Sequence, residues 1–284
     1  MEMHPVNETL INGWLKTRDP FSHKGDYGRA SLIAGSMSMM GAALLAARAC
    51  LRSGVGLLSV HVPKRGYDII QLGIPEAKCY CDQHHTRHTS ILLPPGTEVV
   101  GIGPGLGIFP ETQLAVENFL DKYRETPMVL DADALNILAV NKNLLEHIPK
   151  GSIITPHPGE MNHLGLLPAE FAEKYQVVVV LKGHHTRIYV PQEGTVKVYE
   201  NTLHGNAGMA VGGSGDVLTG IILALMAQHY TAEEAAVTGV WLHAFAADLA
   251  LADVGSEESL LPSDIISHIG AAFNATRLAA QVKE

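Results

Sequence analysis

Residues 31–62, SLIAGSMSMMGAALLAARACLRSGVGLLSVHV, read as a strand, a helix and a second strand. SLIAGS is a short apolar run closed by small residues, the pattern of a buried strand. MMGAALLAARACLRSG carries apolar and small residues at helical spacing, and GLLSVHV returns to a strand pattern. Two strands joined by a crossover helix lie parallel in one sheet, so this unit predicts an α/β fold with helices on both faces.

The same alternation continues outward. EVVGIG (98–103), a helix from about Glu111 to Tyr123, PMVLDAD (127–133), a short helix and GSIITP (151–156) predict further right-handed βαβ units of a mostly parallel sheet. VVVVLKG (177–183) is the longest β-branched run and predicts a central strand buried on both faces. TRIYV and VKVYE, separated by PQEG (191–194), predict a hairpin at an edge. Helices are expected after Asp216, from about Ala232 to Ala252, and from about Pro262 onward. Between Pro63 and Pro95 the periodicity breaks, and no function is assigned to that stretch. No Gly/Ser- or Pro-rich linker divides the chain, so one domain over 1–284 is expected.

Composition narrows the function classes. Of 284 residues 46% are hydrophobic and 17% charged, which describes a packed globule. The net charge of −9, without a run of Lys and Arg, argues against a nucleic-acid partner. The first twenty residues lack the apolar core of a signal peptide and no uninterrupted apolar run has membrane-spanning length, so a cytoplasmic protein with no membrane partner is expected. Three cysteines make no disulfide framework, and the adjacent pairs His84/His85 and His184/His185 do not put two imidazoles on one helical face as metal ligands.

The strongest chemical signal is NAGMAVGGSGDVLTGIILALMAQ (206–228). Gly212, Gly213, Ser214 and Gly215 lead into Asp216 and an apolar helix. Glycines admit close approach of an anion, and a helix start presents unpaired N–H groups at the positive end of the dipole, so the amides of Gly213, Ser214 and Gly215 form a candidate anion hole. Asp216 beside it is a candidate base for an attacking hydroxyl. The competing reading is a helix cap behind a tight turn. The segment is neither GxxxxGK[ST] nor a GxGxxG following the first strand.

Other candidates follow strand ends. Lys182 in KGHHT supplies a cation, or is a solvated lysine. TPHPGE (155–160) is stiffened by two prolines; His157 faces a ligand or is a surface residue, and Glu160 arranges metal or phosphate or caps the next helix. Asp131 and Asp133, with Asn136 on the helix beyond, order Mg²⁺ through water, or Asp133 caps that helix. GIGPGLG (101–107) is expected to be an exposed, close-approach turn. Gly41, Ala42 and Ala43 open a helix with small side chains, for a ligand or for helix packing.

Taken together, HKGDYGRASLIAGS, MMGAALLAARACLRSGVGLLSV, GIGPGLG, VLDADALNIL, ITPHPGEM, VVVLKGHHT and NAGMAVGGSGDVLTGII, in this order from Ser22 to Ile222, resemble the ADP-dependent (S)-NAD(P)H-hydrate dehydratase family of the ribokinase-like superfamily. The resemblance implies a ribokinase-like fold and an ADP- (or ATP-) and Mg²⁺-dependent reaction. That reaction would return the S form of hydrated NADH or NADPH to the reduced cofactor, releasing AMP and phosphate. Carried over motif by motif, Asp216 is the catalytic base and a substrate contact, together with Ala42, Ala43, Gly105 and His157. Lys182, Gly183, His184, His185, Thr186 and Gly215 hold the nucleotide. The family commonly has proline where Ala207 stands and threonine where Ser214 stands, and neither exchange removes an anion-hole amide. The resemblance also implies a tetramer, and a separate epimerase chain, since no epimerase-like motif precedes Ser22. Two other functions use the same turn: a small-alcohol kinase, and a catalytically idle nucleotide sensor. A conventional NAD oxidoreductase would need the dinucleotide fingerprint in the first βα turn, which is missing.

Overall fold

The computed structural model describes residues 2–281; residues 1 and 282–284, which the single-domain expectation also spans, lie outside the described residues. Ten strands form one continuous sheet: β1 (Met3–Pro5), β2 (Arg29–Ile33), β3 (Leu57–Val62), β4 (Lys78–Cys81), β5 (Val99–Ile102), β6 (Met128–Leu130), β7 (Ile153–Ile154), β8 (Val178–Leu181), β9 (Thr186–Gln192) and β10 (Thr195–Asn201). Their order is β1-β10-β9-β8-β7-β6-β5-β2-β3-β4. From β8 to β4 every neighbouring pair is parallel, while β9 and β10 turn back antiparallel.

The helices are α1 (Glu8–Trp14), α2 (Met40–Arg52), α3 (Tyr67–Gly73), α4 (Pro110–Lys122), α5 (Asp133–Val140), α6 (Pro158–Leu164), α7 (Pro168–Tyr175), α8 (Ser214–Ala227), α9 (Ala232–Val254) and α10 (Pro262–Gln281). They cover the sheet in two layers. One core packs α2, α8, α9 and α10 against residues such as Leu32 and Val60; the other packs α4 to α7 against Val100 and Leu130. Val178 and Val180 face the first core and Val179 the second, which is why a run without polar alternation forms this strand. α9 is long and apolar enough to cross a membrane by composition, but 72% of its most apolar window is buried inside the protein, so it is a core helix.

Three expectations change. The hairpin β9–β10 is not the edge, because Met3–Pro5 adds a parallel strand outside β10. The irregular stretch after Pro63 holds α3 and the opposite edge strand β4, whose short length and half-exposed pattern hid it from periodicity. The turn GIGPGLG is buried throughout rather than exposed. Gly103 has φ +129, and a Cβ there would lie 1.8 Å from the Asp131 carbonyl oxygen; the glycine is required by close packing at the site's edge.

The chain leaves β2 in one direction to β3 and β4, then returns on its other side to β5 and beyond. The loops after β2 and β5 therefore diverge at a switch point, where open α/β sheets bind ligands at the carboxyl ends of their strands. The amide of Gly35 donates to the carbonyl of Pro104 at 2.8 Å and holds those two loops together.

α8 is seated by the absence of a side chain. A Cβ on Gly220 would stand 2.1 Å from the backbone oxygen of Ala46 in α2. Gly220→Ala gains about 1 kcal/mol of helix propensity, but overpacking costs about 1–3 kcal/mol and this contact is to backbone, which cannot rotate away. Net destabilisation is expected, read as a lower urea midpoint; an unchanged or higher midpoint contradicts the close α2–α8 crossing.

Candidate active site

The site is built on the carboxyl ends of β6, β7 and β8 and the start of α8. Asp131 directly follows β6 and is 1% exposed. Its Oδ1 accepts from Lys182 Nζ at 2.7 Å and its Oδ2 from Thr219 Oγ1 at 2.7 Å, so both oxygens are taken. Lys182, at the end of β8, also has Glu160 Oε2 at 3.9 Å. Desolvation disfavours the ammonium, yet the charges of Asp131 and Glu160 outweigh it and raise its pKa.

Asp216 is in the first turn of α8 but does not cap it. The cap is Gly213, with φ +101 and no side-chain cap bond. The amide of Ser214 donates to Val211 O at 3.3 Å, whereas those of Gly213, Gly215 and Asp216 have no protein acceptor among the described residues. Of the three expected anion-hole amides, Ser214's is thus committed to the turn, and Asp216's own stands free instead. Burial pushes the Asp216 carboxyl up to about 7, reinforced by the charge of Asp131 and opposed by Lys182. Lys182 already bonds Asp131, which leaves Asp216 short of a counter-charge.

His157 is the N-cap of α6: its Nδ1 accepts from the amides of Gly159 and Glu160, and Glu160 Oε2 accepts from the His157 amide at 2.8 Å. Glu160 therefore caps the helix and also faces Lys182. Asp133 is not a cap, since Ala132 holds that position at φ 48. Asp133 Oδ2 accepts from the Gly107 amide at 2.8 Å and Oδ1 from Asn136 Nδ2 at 3.3 Å, pinning the GPGLG loop. Among the described residues no three acidic, His or Cys side chains converge as a metal cage. With these carboxylates already hydrogen-bonded, the set suits a hydrated magnesium carried on phosphates and held through water.

A cavity of about 660 Å³ opens beside these groups, lined by His157, Lys182, Gly183, His184, Thr186, Ser214 and Gly215. His185 is not part of its lining; it is exposed, its ring edge-on to His184. Gly105 and Ala42 come together on another side, at the switch point: a Cβ on Gly105 would lie 3.0 Å from that of Ala42. The Ala43 side chain is fully buried towards Gly35, and so is a packing residue.

Sequence reasoning missed Thr219, although its place three residues after Asp216 puts it on the same helical face. It missed His243 too. His243 Nε2 is 3.3 Å from Ser214 Oγ, and burial, aided by the Lys182 charge, lowers its pKa to about 4. Nothing local in apolar α9 marks it. At the far wall Asp248 collects His204, Gly205 and Asn206.

The profile of the NAD(P)H-hydrate dehydratase family matches residues 30–270. The chain belongs to that family. It is 35% identical over 282 residues to the ADP-dependent (S)-NAD(P)H-hydrate dehydratase of Bacillus subtilis, covering 94% of this chain and 97% of that protein. The structure of the Bacillus subtilis ADP/ATP-dependent NAD(P)H-hydrate dehydratase co-crystallised with ATP and Mg²⁺ superposes with a TM-score of 0.81 at 30% identity, covering 97% and 99% of the two chains. A ribokinase-like superfamily protein from Enterococcus faecalis, 24% identical, shares the fold with a TM-score of 0.80 over 96% of each chain. The chain spans about half the length of the bifunctional NAD(P)H-hydrate repair enzymes it also matches, that of Coxiella burnetii at 39% identity among them.

The raised Asp216 pKa has a stability consequence. The folded chain holds this proton up to about pH 7, the unfolded chain only to about 3.8, so the folded state binds more protons in between and stability falls as pH rises through that window. At about 1.4 kcal/mol per unit the penalty at pH 8 is on the order of a few kcal/mol. Asp216→Asn should therefore be more stable than wild type at pH 8 and equal to it near pH 3.5 in denaturant titrations. Equal stability at pH 8 contradicts the unpaired carboxyl.

Proposed function

We propose that this protein repairs hydrated nicotinamide cofactors: it converts the S form of NADHX or NADPHX to NADH or NADPH with consumption of ADP, releasing AMP and phosphate. The observation that carries the reading is a carboxyl with a pKa near 7 next to free amides and to Lys182 and Gly215, which line a nucleotide-sized cavity, in a chain of this family. The relatives named for ADP- and ATP-dependent dehydration support it.

Asp216 takes the proton of the ring hydroxyl as that oxygen attacks the terminal phosphorus of ADP, and AMP leaves. The amides of Gly213, Gly215 and Asp216 stabilise charge on the transferred group, and Lys182 offsets charge on the nucleotide phosphates. A poor leaving group, hydroxide, has become a good one. The ring nitrogen's electron pair then expels phosphate, and loss of a proton from the adjacent carbon restores the dihydropyridine. Gly183, His184, His185, Thr186 and Gly215 are assigned to the nucleotide. Gly105, His157 and Ala42 are assigned to the substrate, Ala43 only through its backbone. ATP presents the same terminal group and serves as the alternative donor. Mg²⁺, when bound, would neutralise charge on the phosphates, and Asp131, Asp133 and Glu160 are the residues that would hold it through water.

A homotetramer in the cytoplasm, and an epimerase as pathway partner, complete the proposal; the bifunctional repair enzymes that the chain half spans support the last.

Incubation with hydrated NADH and ADP should restore reduced-nicotinamide absorbance with equimolar AMP and free phosphate. A stable phosphorylated alcohol would mark a kinase instead, and nucleotide binding without turnover a sensor. Asp216→Asn should lose about 10²–10⁴-fold in kcat while still binding ADP. Because the base acts deprotonated, kcat/KM should rise with pH and level off above about 7. A flat profile between pH 5 and 8 contradicts the assignment.

A further inference from the structure

The HKGDYG motif (23–28) takes no part in the site above. Two of its residues, Asp26 and Tyr27, line a second cavity, of about 770 Å³, at the opposite end of α8. The motif is packed hard against that helix end: Gly28 has φ +72, and a Cβ there would stand 1.7 Å from the carbonyl oxygen of Ala227. With a rise of 1.5 Å per residue, the fourteen-residue helix puts the two cavities roughly 20 Å apart.

Four cations line this second cavity: Lys16, Arg18, Arg52 and Arg277. None of them is ion-paired among the described residues, in a chain whose net charge is −9. Three are held instead by aromatic faces and carbonyls. Lys16 lies 4.5 Å over Tyr230 and donates to the carbonyls of Gln228 and His229; Arg18 lies 3.8 Å over Tyr27; Arg277 lies 5.5 Å from Phe273. Arg52 is exposed, with no protein partner among the described residues. The acid in the lining, Asp26, accepts from the amide of His23 at 2.8 Å. The hydroxyl of Ser53, also in the lining, is buried with no hydrogen-bond partner among the described residues.

We propose that this cavity is a second ligand site, for an organic diphosphate of nucleotide size. Unpaired guanidinium groups match phosphate geometry, and the cluster makes a local positive field on an acidic protein. The volume exceeds what a bare phosphate group fills and falls in the range of small-molecule sites, and Tyr27, Tyr230 and Phe273 give it aromatic walls. The inference is independent of the dehydratase reading.

The test is calorimetric binding at low salt with ADP and, separately, inorganic pyrophosphate. Gly215→Val crowds the cleft beside Lys182, since even a Cβ at that position would lie 3.4 Å from Nζ. The Gly215→Val chain should still bind one ADP. Adding Arg52→Glu and Arg277→Glu should weaken that binding at least tenfold, and pyrophosphate should bind at least tenfold more weakly than ADP. Arg52→Glu alone, at an exposed side chain, should weaken it severalfold with an unchanged melting temperature, which separates loss of the site from loss of the fold. The proposal is overturned by no ADP binding to Gly215→Val, by binding indifferent to the charge reversals, or by pyrophosphate binding as tightly as ADP. Each of these readouts stands whether or not hydrated NADH is turned over.

Discussion

The buried pair between Lys182 and Asp131 is the contact on which the site depends. It joins the ends of β8 and β6, and Thr219 ties the same carboxylate to α8. Removing either charge would strand the other in a largely desolvated position, a more costly change than the net worth of the pair. The pair also decides the state of Asp216. One lysine stands among Asp131, Glu160 and Asp216, and its short contact is with Asp131. Asp216 is therefore left with burial and like charge, the two influences that favour its protonated form.

The fold converts this local chemistry into a site by placing strand ends along one edge. Asp131, His157 and Lys182 follow three consecutive parallel strands, and the loops of Gly35 and Gly105 meet where the chain reverses direction across the sheet. Asp133 links the two regions by holding the Gly107 amide. Nucleotide cavity and switch-point loops are thus hydrogen-bonded to the same short turn after β6, whose Ala132 is held at positive φ.

Much of this was legible in the sequence because it lies in local pattern. The βαβ unit at 31–62, the double-buried run at 177–180 and the glycine turn before Asp216 each signal their structure within a few residues. What was hidden depends on tertiary packing. GIGPGLG looked exposed because glycine signals a turn without saying what covers it. Asp133 looked like a cap because its partner, Gly107, is twenty-six residues away. His243 faces the anion hole from a helix whose neighbours are all apolar, and the Met3–Pro5 strand is too short to carry a period.

The central claim is that Asp216 lacks a counter-charge in the nucleotide-free protein. A ¹³C NMR titration of its side-chain carboxyl carbon, assigned by its loss in Asp216→Asn, measures this directly. The account predicts a midpoint near 7. A midpoint near 4 would mean that Lys182 or solvent neutralises Asp216 as it would an ordinary surface aspartate, and would contradict it.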